Sequence, residues 1–286
     1  MRRLLVTGAS GYLGAHLVSA ARGWEVSGTC YSQSARVQVR QIDLRDSEAV
    51  RQLLASVRPD AVIHTACSNR DDDNISAIVP AACNLAAGCR DVGARLVHVS
   101  TDMVFDSEHA PYSDDAPPAP IMPYGRGKAE ATAANLYPGA AIARPSLIWA
   151  LDPLDRQTAW LVDGVRRGTA VTLFTDEIRC PVHLHDLSAA LFELAARPLL
   201  AGPLNLGGRQ PLSRWDFGLR LLSAFGLDGR DNIQPSTVAA SGLVRARNLT
   251  LESRRAEQVL ATRLRGVDDV LPADVIALTQ TAQRGG

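Results

Sequence analysis

Tyr124 and Lys128 stand four residues apart in the stretch Pro123-Tyr124-Gly125-Arg126-Gly127-Lys128. In a helix that spacing puts both side chains on one face. A free tyrosine titrates near ~10 and a free lysine near ~10.4. An ammonium beside the phenol favours the phenolate, which makes Tyr124 usable as a proton donor or acceptor near neutral pH. A third group must then hold the oxygen that takes the proton. The run Val99-Ser100-Thr101-Asp102 closes an apolar strand pattern. A hydroxyl at the carboxyl edge of a parallel sheet faces its binding crevice. Thr101 is the first choice for that hydroxyl and Ser100 the alternate. Taken alone, Tyr-x-x-x-Lys also describes an exposed helix pair, so its weight comes from what precedes it.

What precedes it is Gly8-Ala9-Ser10-Gly11-Tyr12-Leu13-Gly14, between the apolar run Arg3–Thr7 and a helical pattern from Tyr12. Gly8 permits a tight turn, Gly11 lets a pyrophosphate approach the backbone, and Gly14 lets the helix pack close to the sheet. The helix start then offers N–H groups and a positive dipole end to a phosphate. A dinucleotide is the expected ligand, with Gly8, Ser10, Gly11, Tyr12, Leu13 and Gly14 around it. An ordinary glycine-containing βα turn is the plainer reading of the same residues. The second strand ends in Cys30-Tyr31-Ser32, followed by Gln33, Ser34, Ala35 and Arg36. No carboxylate stands there to hold a ribose 2′-OH or repel a 2′-phosphate. Ser32 could donate to a phosphate and Arg36 could pair with it, which favours NADP(H) over NAD(H). Arg36 also reads as a solvated loop arginine. Asp43 and Leu44, after the third strand, are placed for the adenine edge, with Asp43 alternatively a helix cap. Ala66, ending the fourth strand, completes the expected cofactor set.

These groups need a scaffold that alternates strand and helix. Short apolar runs at Arg3–Thr7, Glu25–Tyr31, Val37–Ile42, Ala61–Ala66, Arg95–Ser100 and Ala140–Arg144 read as strands. Helices are expected at Tyr12–Ala21, Asp46–Val57, about Ile75–Val92 and about Tyr124–Asn135, the second capped by Asp46 or Ser47. Five prolines between Pro111 and Pro123 exclude regular structure there. The pattern predicts an α/β, Rossmann-type doubly wound parallel sheet over residues 1–150. Residues 151–286 are expected to form mainly a smaller C-terminal substrate-binding lobe, with some segments returning to the main sheet.

The 286 residues carry 30 basic and 30 acidic side chains, which gives no footprint for nucleic acid or an anionic membrane. Five cysteines without a CxxC pair suit a reducing compartment. The apolar stretch after Arg2-Arg3 is too short for a signal peptide, and no run approaches the ~20 residues of a membrane span. A cytoplasmic protein is expected. His64, His98, His183 and His185 lack metal-ligand spacing, so no metal is expected. Arg179 could hold a diphosphate or pair with Asp176 or Glu177. Asp186 reads as a cap for a helix near Leu187. Trp149, Trp160 and Trp215 read equally as core or pocket lining.

The chain resembles the extended short-chain dehydrogenase/reductases, most of all the dTDP-4-dehydrorhamnose reductase branch. The similarity runs through Thr7–Gly14, Val99-Ser100-Thr101-Asp102-Met103-Val104-Phe105-Asp106, Tyr112–Asp115, Pro123–Glu130, Arg144-Pro145-Ser146, Arg179–Val182, Asp186-Leu187 and Gly202–Gly208. It implies that Thr101, Tyr124 and Lys128 form the catalytic set. It also implies that Lys128 binds the nicotinamide ribose, and that Ser100, Asp102, Met103 and Arg179 lie toward the substrate. A nucleotide-linked keto sugar is the implied substrate, and a homodimer a candidate assembly. The family also holds non-catalytic NADP-binding regulatory subunits and sugar-nucleotide epimerases that recycle their NAD. Three departures stand out. Met103 replaces the glutamate of the dehydratases, so dehydration is not expected. Ile78 or a neighbour stands where an asparagine often supports a water relay. Cys67-Ser68-Asn69-Arg70-Asp71 differs from the reductases' acidic loop, which points away from the rhamnose precursor itself.

Overall fold

The computed structural model describes residues 1–32, 39–67, 71–135, 137–228 and 232–284. The strands run β1 (Arg2–Thr7), β2 (Trp24–Cys30), β3 (Val39–Gln41), β4 (Ala61–His64), β5 (Arg95–Val99), β6 (Ala141–Pro145), β7 (Ile148–Trp149), β8 (Val171–Phe174), β9 (Ile178–Arg179), β10 (Val182–His183), β11 (Gly202–Leu206), β12 (Leu212–Ser213) and β13 (Ile233–Ser236). The helices are α1 (Tyr12–Ala20), α2 (Ser47–Val57), α3 (Asp72–Ser76), α4 (Ile78–Val92), α5 (Pro123–Asn135), α6 (Arg156–Arg166), α7 (Leu184–Ala196), α8 (Arg214–Ala224), α9 (Val238–Ser241), α10 (Arg254–Val259) and α11 (Val267–Arg284).

Seven strands form one sheet in the order β11-β6-β5-β4-β1-β2-β3. Every pairing in it is parallel. Alternate residues along each strand serve opposite faces. Leu4, Val6, Ile63, Val97 and Val99 pack toward Leu13 and Leu17 of α1 and Leu187 and Leu191 of α7. Leu5, Val62 and Leu96 pack toward Leu53 and Leu54 of α2 and Leu85 of α4. The strand order reverses between β1 and β4, and a doubly wound sheet opens its crevice at that switch point. β11 comes from the later part of the chain and takes the edge beside β6. The remaining short strands pair as β7–β10, β9–β12 and β8–β13.

Local chemistry explains most boundaries. Asp46 caps α2, accepting from the N–H groups of Glu48 and Ala49 at 2.9 and 3.0 Å. The helix expected over about Ile75–Val92 is instead two, α3 and α4. Asp71 caps the first, and Pro80 lacks the N–H that would bond back to Ser76. Asp186 is not a cap: α7 starts at Leu184, and the Asp186 carboxylate bonds Arg265 through its Nε and Nη2. Trp149 is core, packed with Phe217, whereas Trp160 is exposed. Among the described residues no helix is long and apolar enough to cross a membrane.

His64 and His98, register partners on β4 and β5, are 1 % and 0 % exposed. Burial holds His64 down to about 3 and His98 well below the ordinary 6.5, and Lys128 adds to both shifts. The folded chain keeps both imidazoles neutral where the unfolded chain takes protons. Their stabilising contribution is therefore complete above about pH 6.5 and declines as the pH falls below it. At pH 5 the expected cost is about 2 kcal/mol for each histidine that stays neutral. The thermal midpoint should fall between pH 8 and pH 5, and His98→Phe should flatten that fall. Equal slopes in the two proteins would show that His98 titrates freely.

Candidate active site

The cleft at the switch point has a volume of about 300 Å³. Gly8, Ser10 and Gly11 form one wall, and Thr29, Cys30, Tyr31 and Ser32 a second. Asp43, Leu44 and Arg45 also line it, as do Thr65, Ala66, Cys67, Asp71, Asp73 and Asn74. The glycines are dictated by close approach. Gly8 has φ +73°, and a Cβ there would lie 2.8 Å from the Ala66 backbone. A Cβ on Gly14 would lie 2.2 Å from the Gly8 carbonyl oxygen. Gly11 is the N-cap of α1 and supplies no side-chain cap, so the helix start is left for an anion. A dinucleotide fits this donor set. Leu13 faces the core instead, and the Tyr12 hydroxyl donates to the Pro153 carbonyl at 2.9 Å. Both side chains are thus engaged within the protein. Arg36 lies outside the described residues.

Arg45 is among the cleft residues that sequence reading missed, and it is the one with the most side-chain partners among them. Its Nε donates to both carboxylate oxygens of Asp43 at 3.0 Å, its Nη1 to Asp73 at 2.6 Å and its Nη2 to the Tyr31 hydroxyl at 2.9 Å. Its guanidinium also lies over the Tyr31 ring, 5.3 Å from the centroid. This holds the Asp43 carboxyl below its usual range, chiefly through the Arg45 hydrogen bonds. Asp43 thus caps no helix, and its side chain anchors Arg45. The available signal was adjacency: Arg45 directly follows Asp43-Leu44.

At the other end of the cleft, Cys67 packs with Tyr124 and Ile78. Cys67 has a positive φ of 70°, and burial raises its thiol above the usual range. Lys128 is 2 % exposed, donates from Nζ to the Val99 carbonyl at 3.0 Å, and lies 5.9 Å from the centre of the Tyr124 ring. Burial lowers Lys128 to about 8. The spacing of four has therefore delivered one shared face. The electrostatic expectation differs: burial is the largest influence on Tyr124 and raises its pKa, with Asp102 and Cys67 adding to the rise. In the protein alone Tyr124 is a phenol, a proton donor. Thr101 caps a short 3₁₀ turn over Asp102–Val104, accepting from the Met103 N–H at 3.2 Å. Its hydroxyl makes a long contact of 3.3 Å to Asp102. The approach of α5 to this turn depends on Gly125, whose Cβ would lie 2.0 Å from the Met103 carbonyl oxygen.

The residues expected toward a substrate are mostly engaged by the protein. Asp102 is buried, accepts from the Ser146 hydroxyl at 2.6 Å, and has its pKa raised by desolvation. Arg179 lies 3.8 Å from Asp102 and 3.4 Å from Glu177, and donates to the carbonyls of Ile178 and Ala246. It serves these buried groups, and the expected diphosphate contact is not what its geometry favours. Of the two partners expected for it, Glu177 is the one it meets, and Asp176 instead accepts from the Val238 N–H at 2.8 Å. The Ser100 hydroxyl is buried without a partner. Met103 packs in the small core around Phe105 and Tyr112, so no carboxylate stands at that position. Among the described residues no group of three or more metal-ligating side chains could hold an ion.

The parallel sheet and the glycine turn are those of the extended short-chain dehydrogenase/reductase class. The chain belongs to the family of the RmlD substrate binding domain, whose model matches residues 1–276. Methionine adenosyltransferase 2 subunit beta from Pongo abelii is 30 % identical over 275 residues, covering 90 % of this chain and 82 % of that protein. A probable low-salt glycan biosynthesis reductase from Haloferax volcanii is 30 % identical over 241 residues, covering 78 % and 80 %. The dTDP-4-dehydrorhamnose reductase of Bacillus anthracis, solved with NADP, superposes with a TM-score of 0.83 at 21 % identity, covering 97 % of this chain and all of that one.

Proposed function

We propose that the chain reduces a ketone with NADPH, and that the ketone is a 4-keto group on a nucleotide-linked deoxysugar or a related intermediate. The observation that carries this reading is that Tyr124 and Lys128 share a face of α5 where that helix abuts the turn capped by Thr101, with Tyr124 packed in one cluster with Cys67 of the dinucleotide cleft. When bound, the cofactor supplies a hydride to the carbonyl carbon. Thr101 holds the carbonyl oxygen, Tyr124 gives it a proton, and the Lys128 ammonium stabilises the phenolate that results. Residues 1–150 act as the cofactor half, and most of 151–286 closes the substrate side. The sugar nucleotide is inferred from the reductase relatives. A screen of keto-sugar nucleotides and simpler ketones, followed by loss of reduced-cofactor absorbance, tests the class. If none of these ketones is reduced, the proposal is refuted.

The preference for NADP rests on the absence of a carboxylate in Cys30-Tyr31-Ser32 and on two arginines, Arg36 and Arg45. NADPH is expected to bind more tightly than NADH. Arg36→Ala and Arg45→Ala should each weaken NADPH about tenfold, the loss of one charge-assisted hydrogen bond, and NADH much less. Titration by cofactor fluorescence checks this, and tighter NADH binding would reverse the assignment. The similarity to methionine adenosyltransferase 2 subunit beta favours a second reading, a regulatory subunit that binds NADP without turnover. Tight binding of a protein partner with no ketone reduced would support that reading.

A further inference from the structure

We propose that His98 is a positioning residue for Lys128, holding the ammonium from beneath through a buried water. The inference rests on the reading of Tyr124 and Lys128 as the catalytic pair. Thr29, Thr7, His64 and His98 are successive register partners across β2, β1, β4 and β5. In-register residues of a parallel sheet share a face, so the four make one polar row beneath the crevice. None is more than 1 % exposed. Within the row, the Thr7 hydroxyl and His64 Nδ1 are 2.7 Å apart, and the His64 and His98 rings are 5.1 Å apart. Both ring nitrogens of His98 are buried without a protein partner, as is the Ser100 hydroxyl two residues on. Leaving such groups dry is costly, and internal water is the usual remedy.

Lys128 has the complementary need. An ammonium carries three N–H donors. One goes to the carbonyl of Val99, the residue after His98, and the side chain is too buried for bulk solvent to serve the others. On that side Ile78 and Ala82 of α4 pack with Ala131 of α5 against Tyr124, and the titratable neighbour there is the Cys67 thiol, which acts electrostatically on Lys128. The unpartnered acceptors nearest in the chain are those of His98 and Ser100. Lys128 is also close enough to act electrostatically on both His64 and His98. A neutral imidazole suits the role: it accepts from water on one nitrogen, donates on the other, and adds no charge to repel the ammonium.

The test compares His98→Phe with His98→Gln in the full chain, each first checked by circular dichroism and thermal midpoint. His98→Phe removes the anchor for the water. It is expected to lower kcat on the order of tenfold to a hundredfold, by misplacing Lys128. It should also move the basic limb of the kcat/KM profile downward, because the ammonium loses an acceptor. His98→Gln keeps a neutral donor and acceptor and is expected to restore most of kcat. A second readout needs no substrate: imidazole ¹⁵N shifts of His98 in the cofactor-free protein should respond to Lys128→Met. If they respond but no ketone is reduced, the functional reading falls and the link between His98 and Lys128 stands. If they do not respond, or if folded His98→Phe keeps the wild-type kcat and pH profile, the positioning role is wrong even in an active reductase.

Discussion

Tyr124→Phe is expected to lower kcat by about 10²–10⁴ on the best ketone, the range that general acid catalysis contributes. The reason lies in the state of the phenol. Burial, Asp102 and Cys67 all raise its pKa, so the proton is present at neutral pH and available to a carbonyl oxygen. Phenylalanine keeps the ring that packs against Ile78 and Cys67 and removes only the hydroxyl. Cofactor binding should therefore be unchanged, since the cleft walls from Gly8 to Asn74 are untouched. Rapid-mixing kinetics with reduced cofactor in excess would separate the chemical step from binding. A phenylalanine variant with full turnover would remove Tyr124 from the mechanism.

Gly125→Ala should cost nearly as much without deleting any reactive atom. A methyl group there would lie 2.0 Å from the Met103 carbonyl oxygen and 3.1 Å from Pro120 Cβ. The first obstacle is backbone, so α5 must shift away from the turn that carries Thr101. A displacement near 1 Å between reacting groups can cost on the order of 10²-fold in rate. The loss should fall on kcat, with reduced-cofactor binding little changed, because the glycines at positions 8, 11 and 14 lie outside the contact. A Gly125→Ala protein with wild-type kcat and intact α5 would show that the approach of α5 to Met103 is not required for turnover.

What could be read from the chain was what depends on short spacing. Gly8, Gly11 and Gly14 announce a turn because each answers a local backbone demand, and Tyr124 and Lys128 share a face because a helix repeats every 3.6 residues. Asp46 was legible as a cap for the same reason. What escaped depends on residues far apart in sequence. Arg45 gains its place in the cleft from Asp73 and Tyr31, 28 and 14 residues away. Asp186 finds Arg265 at a separation of 79 residues, and Arg179 finds Asp102 across the fold. Nothing in the sequence says that the Met103 carbonyl will lie against Gly125. The division of residues 75–92 into two helices was a local matter, legible in Pro80.

The most direct test of the central claim follows the hydride itself. The protein is incubated with the best ketone and NADPH carrying deuterium at the transferable C4 position, and the product is examined by mass spectrometry and proton NMR. The account predicts one deuterium per product molecule, bound to the carbon that bears the new hydroxyl, with one NADP⁺ formed for each. Product that carries no deuterium, or an epimerised sugar formed without net consumption of the cofactor, would contradict it.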